Sequence, residues 1–279
     1  MGATSVTLLL VALSTLMGLG SCMDPNTAYW EAFDVLKTCR TGISQSPIDI
    51  KERDTMAKTG SKIVFAGYDT PINFVMKNDG TTSKLSPADS SVTATITAPH
   101  LNGDTFRFAQ LHFHWGGDNK YGSEHLLDGY QAPIEVHLVH FNTKYGSTIE
   151  EALAMEGVSD NLAVLGILFD IIPCSVVELN TLVSELANIK NPQSKASISG
   201  LTLERFLPTD TDTFFSYSGS LTTPKCQEIV SWTVFKDSSF ISQTQLDEFR
   251  KLMYPIGPLV NNYRSTQALN GRNVSMYTK

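Results

Sequence analysis

Residues 110–117, QLHFHWGG, set His112 and His114 on alternate positions of an otherwise apolar, aromatic run. Side chains alternate across a strand, so Gln110, His112 and His114 share one face. The stretch PIEVHLVHF, residues 133–141, repeats the pattern: Glu135, His137 and Val139 share a face, while His140 points the other way. If the two strands pair, with a loop over Gly116–Pro133, three imidazoles converge. Burying an imidazole is costly unless something pairs with it. Gln110 and Glu135 each precede a histidine by two residues and can accept its second N–H, which is how a metal-binding imidazole is oriented. Three histidines without a local cysteine suit zinc at a catalytic centre, where the fourth position is left to water. A lone histidine on an apolar strand reads as a hydrogen-bonded core residue; His-x-His beside Glu-x-His reads as a ligand set. His140 is expected in the core or at its rim, and His100, in the turn-like PHLNG, is expected to be exposed.

Elements must hold these residues in place. The chain has 279 residues, 42% hydrophobic and 18% charged, which suffices for one large domain. Strand-like runs cover Val92–Ala98, Thr105–Trp115, Ile134–Phe141, Leu162–Ile172 and Ile229–Lys236. Capping boxes at Ser147–Glu150, Ser175–Glu178 and Ser242–Gln245 open short helices between or after them. Thr81–Asp89 and Asn191–Gly200 read as polar surface loops. The order fits an α+β fold, a sheet with peripheral helices, better than βαβ units.

Composition also excludes. A net charge of −7 argues against nucleic acid, whose phosphates need clustered Lys and Arg. No HExxH zinc-hydrolase stretch and no GxSxG serine elbow occur. Residues 1–22 carry no charge and hold an apolar run, Val6 to Leu19, closing on small residues. This reads as a secretory signal peptide cleaved near Gly20–Cys22, with the mature domain at 23–279 and no transmembrane segment after signal removal. The missing basic start leaves a membrane anchor as the alternative. Export makes Cys22, Cys39, Cys174 and Cys226 disulfide candidates. Cys22 leaves with the signal or sits at the new terminus, so one pair and one free thiol is the simplest count. Cys174 is expected to be buried packing. Asn273-Val-Ser275 is a glycosylation sequon.

Together, QLHFHWG, YGSEH at 121–125, E-x-H-L-V-H at 135–140 and SLTTP at 220–224 resemble an alpha-class carbonic anhydrase of the secreted type. QSPIDI at 45–50, NLAVLGIL at 161–168 and NNYR at 261–264 follow the same pattern, so the resemblance spans Gln45 to Arg272. It implies a single α+β domain around a large, twisted, mostly antiparallel sheet of about ten strands. The implied activity is that of a lyase: reversible hydration of carbon dioxide to bicarbonate and a proton, by hydroxide at a zinc ion. His112, His114 and His137 would hold the zinc. Thr222 would accept a hydrogen bond from the hydroxide and pass its own to Glu124. Gln110, Glu135 and the backbone carbonyl of Asn262 would orient the ligands, and His125 would be structural. Val139, Val164, Leu221, Val230 and Trp232 would line the substrate pocket, and Thr223 would meet the bound anion. Cys39 and Cys226 would form the disulfide. Sulfonamides and small anions would inhibit.

The sequence also departs from that pattern. Fast members carry a histidine after an Asn-Asn-Gly turn to carry protons out; here the stretch is Asn78-Asp79-Gly80-Thr81. Threonine cannot titrate near neutral pH, so a slower, proton-transfer-limited enzyme is expected. The aromatic N-terminal segment is reduced to Tyr29-Trp30. The rival reading is a catalytically weak or inactive secreted matrix or binding protein on the same fold.

Overall fold

The computed structural model describes residues 37–60 and 62–279; the signal-peptide reading, Cys22 and Tyr29-Trp30 lie outside the described residues. A mixed sheet of 13 strands dominates. Its main path uses β1 Met56–Thr59, β2 Ile72–Asn78, β3 Ser83–Pro87, β4 Thr105–Trp115 and β5 Ile134–Asn142. It continues with β6 Leu162–Ile172, β7 Lys195–Leu201, β8 Phe214–Gly219, β9 Val230–Phe235 and β10 Ser275–Thr278. In space the order is β7, β2, β3, β4, β5, β6, β9, β8, β10, β1, and the pairs are antiparallel except β6 with β9 and β10 with β1. The short strands Val64–Ala66, Thr95–Thr97 and Ser239–Ser242 complete the sheet. Among the described residues no helix is long and apolar enough to cross a membrane.

Alternation decides where the two cores lie. On β4, Phe106, Phe108, Leu111, Phe113 and Trp115 join the larger core with Phe74, Leu85, Leu138 and Leu165. Helices Asn180–Glu185 and Gln243–Phe249 cover that side through Leu182, Leu246 and Phe249. On the opposite face Val139, Phe141, Leu162, Val164, Val230 and Trp232 form a smaller cluster, flanked by helix Ile149–Ala154. The polar side chains of β4 open onto that second face.

Several local expectations shift. Thr81–Asp89 contains β3, which pairs with β2 and β4, and Asn191–Gly200 runs into β7. Both carry polar residues on alternate positions, since only one side of each strand meets the core. The expected strand at Val92–Ala98 shrinks to Thr95–Thr97. The first capping box is displaced by one residue, to Thr148 with Glu151, and Ser242 with Gln245 forms as read. Ser175 caps nothing, because the side-chain amide of Gln245 already holds both the N–H and the carbonyl of Val176. Cys174 is exposed rather than buried.

His100 is not exposed either. Its ring packs on Phe214 and Tyr277, and Nε2 lies 2.9 Å from Thr233 Oγ1. Burial pushes its pKa down to about 4. The unfolded chain, near the ordinary 6.5, therefore takes up the proton first as pH falls. The stability this histidine lends is complete above about pH 6.5 and is lost between there and about pH 4, by at most about 3 kcal/mol. His100→Gln is expected to flatten the acid limb of a urea-midpoint profile in that window. An unchanged limb would show that His100 does not set it.

Cys39 and Cys226 are joined. The bond ties the N-terminal segment to the loop 221–227, which Leu221 N–H closes on the carbonyl of Gln227 at 2.9 Å. Lys225 and Cys226 hold positive φ angles of 83° and 44°, uncommon for residues with a Cβ, so the loop needs such an anchor. Closing 187 residues restricts the unfolded chain by about 5 kcal/mol in the chain-entropy model. The double variant Cys39→Ser/Cys226→Ser is expected to melt well below the parent in calorimetry; equal melting would deny the bond a stabilising role.

Candidate metal centre

Register between β4 and β5 assembles the histidines. His112 stands opposite His137, and His114 opposite Glu135. The three rings lie 4.7 to 5.2 Å apart, centroid to centroid, and offer ligand atoms within 4.8 Å of one another. Each ring is steered from behind. His112 Nδ1 lies 2.9 Å from Gln110 Oε1, His114 Nδ1 2.8 Å from the carbonyl of Asn262, and His137 Nε2 2.8 Å from Glu135 Oε1. An imidazole that donates one N–H to an acceptor presents a lone pair on its other nitrogen. Those remaining nitrogens, His112 Nε2, His114 Nε2 and His137 Nδ1, are the ones that can meet a cation.

The buried members of this set are left without partners: His114 Nε2 and His137 Nδ1 make no hydrogen bond, and neither does Glu124 Oε2. Orphaned buried polar atoms cost roughly 1–3 kcal/mol each, so three in one place mark a site built for a further group. The donor chemistry fits a transition-metal ion. Burial and the neighbouring imidazoles hold the His112 pKa well below the ordinary histidine value, and burial lowers that of His114. Both rings are therefore neutral, as ligation requires, at physiological pH. Glu135 goes the other way: burial opposes its ionisation, but His125 and His137 outweigh this and keep the carboxyl well below its usual range.

A second layer fixes the first. Glu135 Oε2 accepts the backbone N–H groups of Glu124 and His125, each at 2.8 Å, while Oε1 also takes His125 Nδ1 at 2.7 Å. His125 Nε2 meets the Tyr217 hydroxyl at 2.7 Å, which donates to Ser46 Oγ at 2.9 Å. Asn262 is bolted by its side chain to the Trp115 N–H and to the carbonyls of Thr81 and Phe113. The guanidinium of Arg264 holds Gln45, Ser46 and Cys39, and its backbone N–H donates to Glu124 Oε1 at 2.8 Å. Ser46, Tyr217 and Arg264 had no role in the sequence reading. Two of them sit inside strings quoted there, QSPIDI and NNYR, but only the fold reveals their partners.

A cavity of about 870 Å³ opens over the histidines. His112, His137, Thr222, Thr223 and Thr81 line it, and Val139, Val164, Leu221 and Trp232 supply apolar wall. Val230 does not reach it: the residue is fully buried in the cluster behind Val139, Val164 and Trp232. The hydrogen bond expected from Thr222 to Glu124 is also not made. One carboxylate oxygen is taken by Arg264 N–H, and the other, unpartnered, turns toward His137 Nδ1 at 3.9 Å. The Thr81 hydroxyl donates to Asp79 Oδ1 at 2.8 Å. His140 lies in the core against Tyr68, and Asn273 is exposed.

Residues 25–278 match the family model described as eukaryotic-type carbonic anhydrase. The chain is 34% identical over 238 residues to "Carbonic anhydrase 1" of Mus musculus, covering 84% of this chain and 89% of the relative. It is 36% identical over 240 residues to "Carbonic anhydrase 6" of Bos taurus, covering 84% of this chain and 72% of the relative. The match over nearly the whole described chain, on a fold that gathers three histidines at one cavity, shows that this chain belongs to the eukaryotic-type, alpha-class carbonic anhydrase family.

Proposed function

We propose that the chain hydrates carbon dioxide reversibly, with one zinc ion held by His112, His114 and His137. The observation that carries this reading is the set of steered imidazoles whose free nitrogens converge and, where buried, are unpartnered. When bound, zinc supplies a Lewis acid that makes water a nucleophile at neutral pH. The chain's own residues do the rest. Val139, Val164, Leu221 and Trp232 give an apolar substrate a dry surface beside the histidines. Thr222, on the cavity wall, is assigned to accept from the reacting water and fix its direction of attack, and the unpartnered Glu124 Oε2 is the acceptor its hydroxyl would reach after a side-chain shift. Thr223 meets the anionic product from the same wall. Glu135, Gln110 and the Asn262 carbonyl keep each ring in one tautomer.

The proton must then leave, and Thr81 offers no titrating group. Turnover is therefore expected to be limited by proton transfer to buffer. In stopped-flow hydration assays, Thr81→His or added imidazole should raise kcat severalfold at low buffer concentration without raising kcat/KM. If neither does so, proton exit through this turn is not limiting.

Metal retention provides a separate test. The purified protein is expected to hold one zinc per chain by elemental analysis, and His137→Ala to lose it. Glu135→Gln, which weakens steering but keeps the ligands, should lower zinc affinity about 10- to 100-fold in chelator competition. Full zinc affinity in His137→Ala would contradict the ligand set. Sulfonamides and small anions are expected to inhibit. The disulfide, a bond of oxidising compartments, and the apolar, uncharged start of the sequence support secretion into the extracellular space, with residues 1–22 as signal and Asn273 open to glycosylation.

A further inference from the structure

Carbon dioxide is only a few ångströms long and fills a small part of a cavity of about 870 Å³. The rest of that cavity runs along the sheet face away from the histidines, toward Arg107, Phe141 and helix Ile149–Ala154. Strict alternation would point Arg107 to the opposite side of β4 from His112. A bulge prevents this. Val139 pairs with Gln110 but His140 pairs with Phe108, so Ala109 is an extra residue. The phase is reset, and Arg107 and Ala109 join Gln110 and His112 on the cavity face, opposite Phe141 and Val139 on β5.

Arg107 has no counter-charge there. Its guanidinium lies 5.9 Å from the centre of the Phe141 ring, its Nε is buried without a hydrogen-bond partner, and no carboxylate lies within ion-pairing distance among the described residues. The acids of the cavity are differently placed. Asp79 is occupied by its own turn, accepting from Thr81 and Thr82, and Asp89 accepts from Ser91. Glu150 and Asp89 are exposed. Lys84, opposite His112 in the register of β3 and β4, is a second cation on this floor that makes no ion pair among the described residues. The unmet bonding capacity at the far end is thus a half-buried guanidinium whose Nε is itself buried and unbonded. Between it and the histidines lie Ala109, Val139, Phe141, Ile149 and Leu153. Arg107 and His112 stand five positions apart along the strand, with the bulge between them, a span of about 15 Å.

We propose that this end of the cavity is a binding subsite for an elongated organic anion, an aryl- or alkyl-carboxylate or sulfonate. Arg107 receives the anionic group and the apolar body lies along Ala109, Val139 and Phe141 toward the histidines. The subsite is independent of the metal assignment, since none of its contacts is a metal ligand.

Calorimetric titration of the full chain with 6-phenylhexanoate and with 6-phenylhexanol tests it. The acid is expected to bind at least tenfold tighter than the alcohol, with an advantage that falls as salt rises. Arg107→Gln should bring the two within about twofold, and Arg107→Lys should keep part of the difference. Saturating azide, which occupies a metal, should leave the difference in place, and carbon dioxide hydration by Arg107→Gln should match the parent. The proposal is overturned if Arg107→Gln retains the full difference, if the parent shows none, or if azide abolishes it, which would put the carboxylate on the metal. A parent without zinc that still shows the Arg107-dependent difference would sustain the subsite while contradicting the proposed hydration chemistry.

Discussion

The antiparallel pairing of β4 with β5 in the register that sets His112 opposite His137 is the constraint on which the rest depends. A slip of one residue would turn every side chain on one strand to the other face, sending His137 into the larger core and Leu138 into the cavity. Two features fix the register. The larger core takes Leu111 and Phe113 from β4 together with Val136 and Leu138 from β5. On the cavity side, the rings of His112 and His114 from β4 meet that of His137 from β5 across the strand pair.

Behind the three histidines, the buried polar groups are saturated by one another. Glu135 and His125 have both ends engaged, and Tyr217 and Ser46 extend the chain of hydrogen bonds to the strand end that leads into the Thr222 loop. The disulfide and Arg264 close the same region from the N-terminal side. Against that background, unpartnered atoms on His114, His137 and Glu124 stand out as the place where the protein expects another group.

How far the sequence could be read follows from the range of each interaction. Strand alternation is local, so the shared face of Gln110, His112 and His114 and the opposed direction of His140 were legible in eight or nine residues. Their convergence needed one further step, the pairing of successive strands. Features that rest on distant partners were not legible. His100 looked like a loop residue because Phe214, Tyr277 and Thr233, which bury it, come much later in the chain. Ser175 looked like a cap because the residue that displaces it, Gln245, belongs to another helix. β3 was hidden because SKLSP has a single strongly apolar residue, Leu85, facing the core. Arg107 escaped for a subtler reason: alternation is reliable only until a bulge resets it, and nothing in TFRFAQLHFHW announces the extra residue at Ala109.

The central claim, that His112, His114 and His137 jointly hold a metal, is tested most directly by zinc K-edge X-ray absorption on the purified full chain. Ligation by these three histidines predicts four light-atom neighbours at about 2.0 Å, with the multiple-scattering pattern of three imidazoles. Sulfur neighbours near about 2.3 Å, or fewer than three imidazoles, would contradict it.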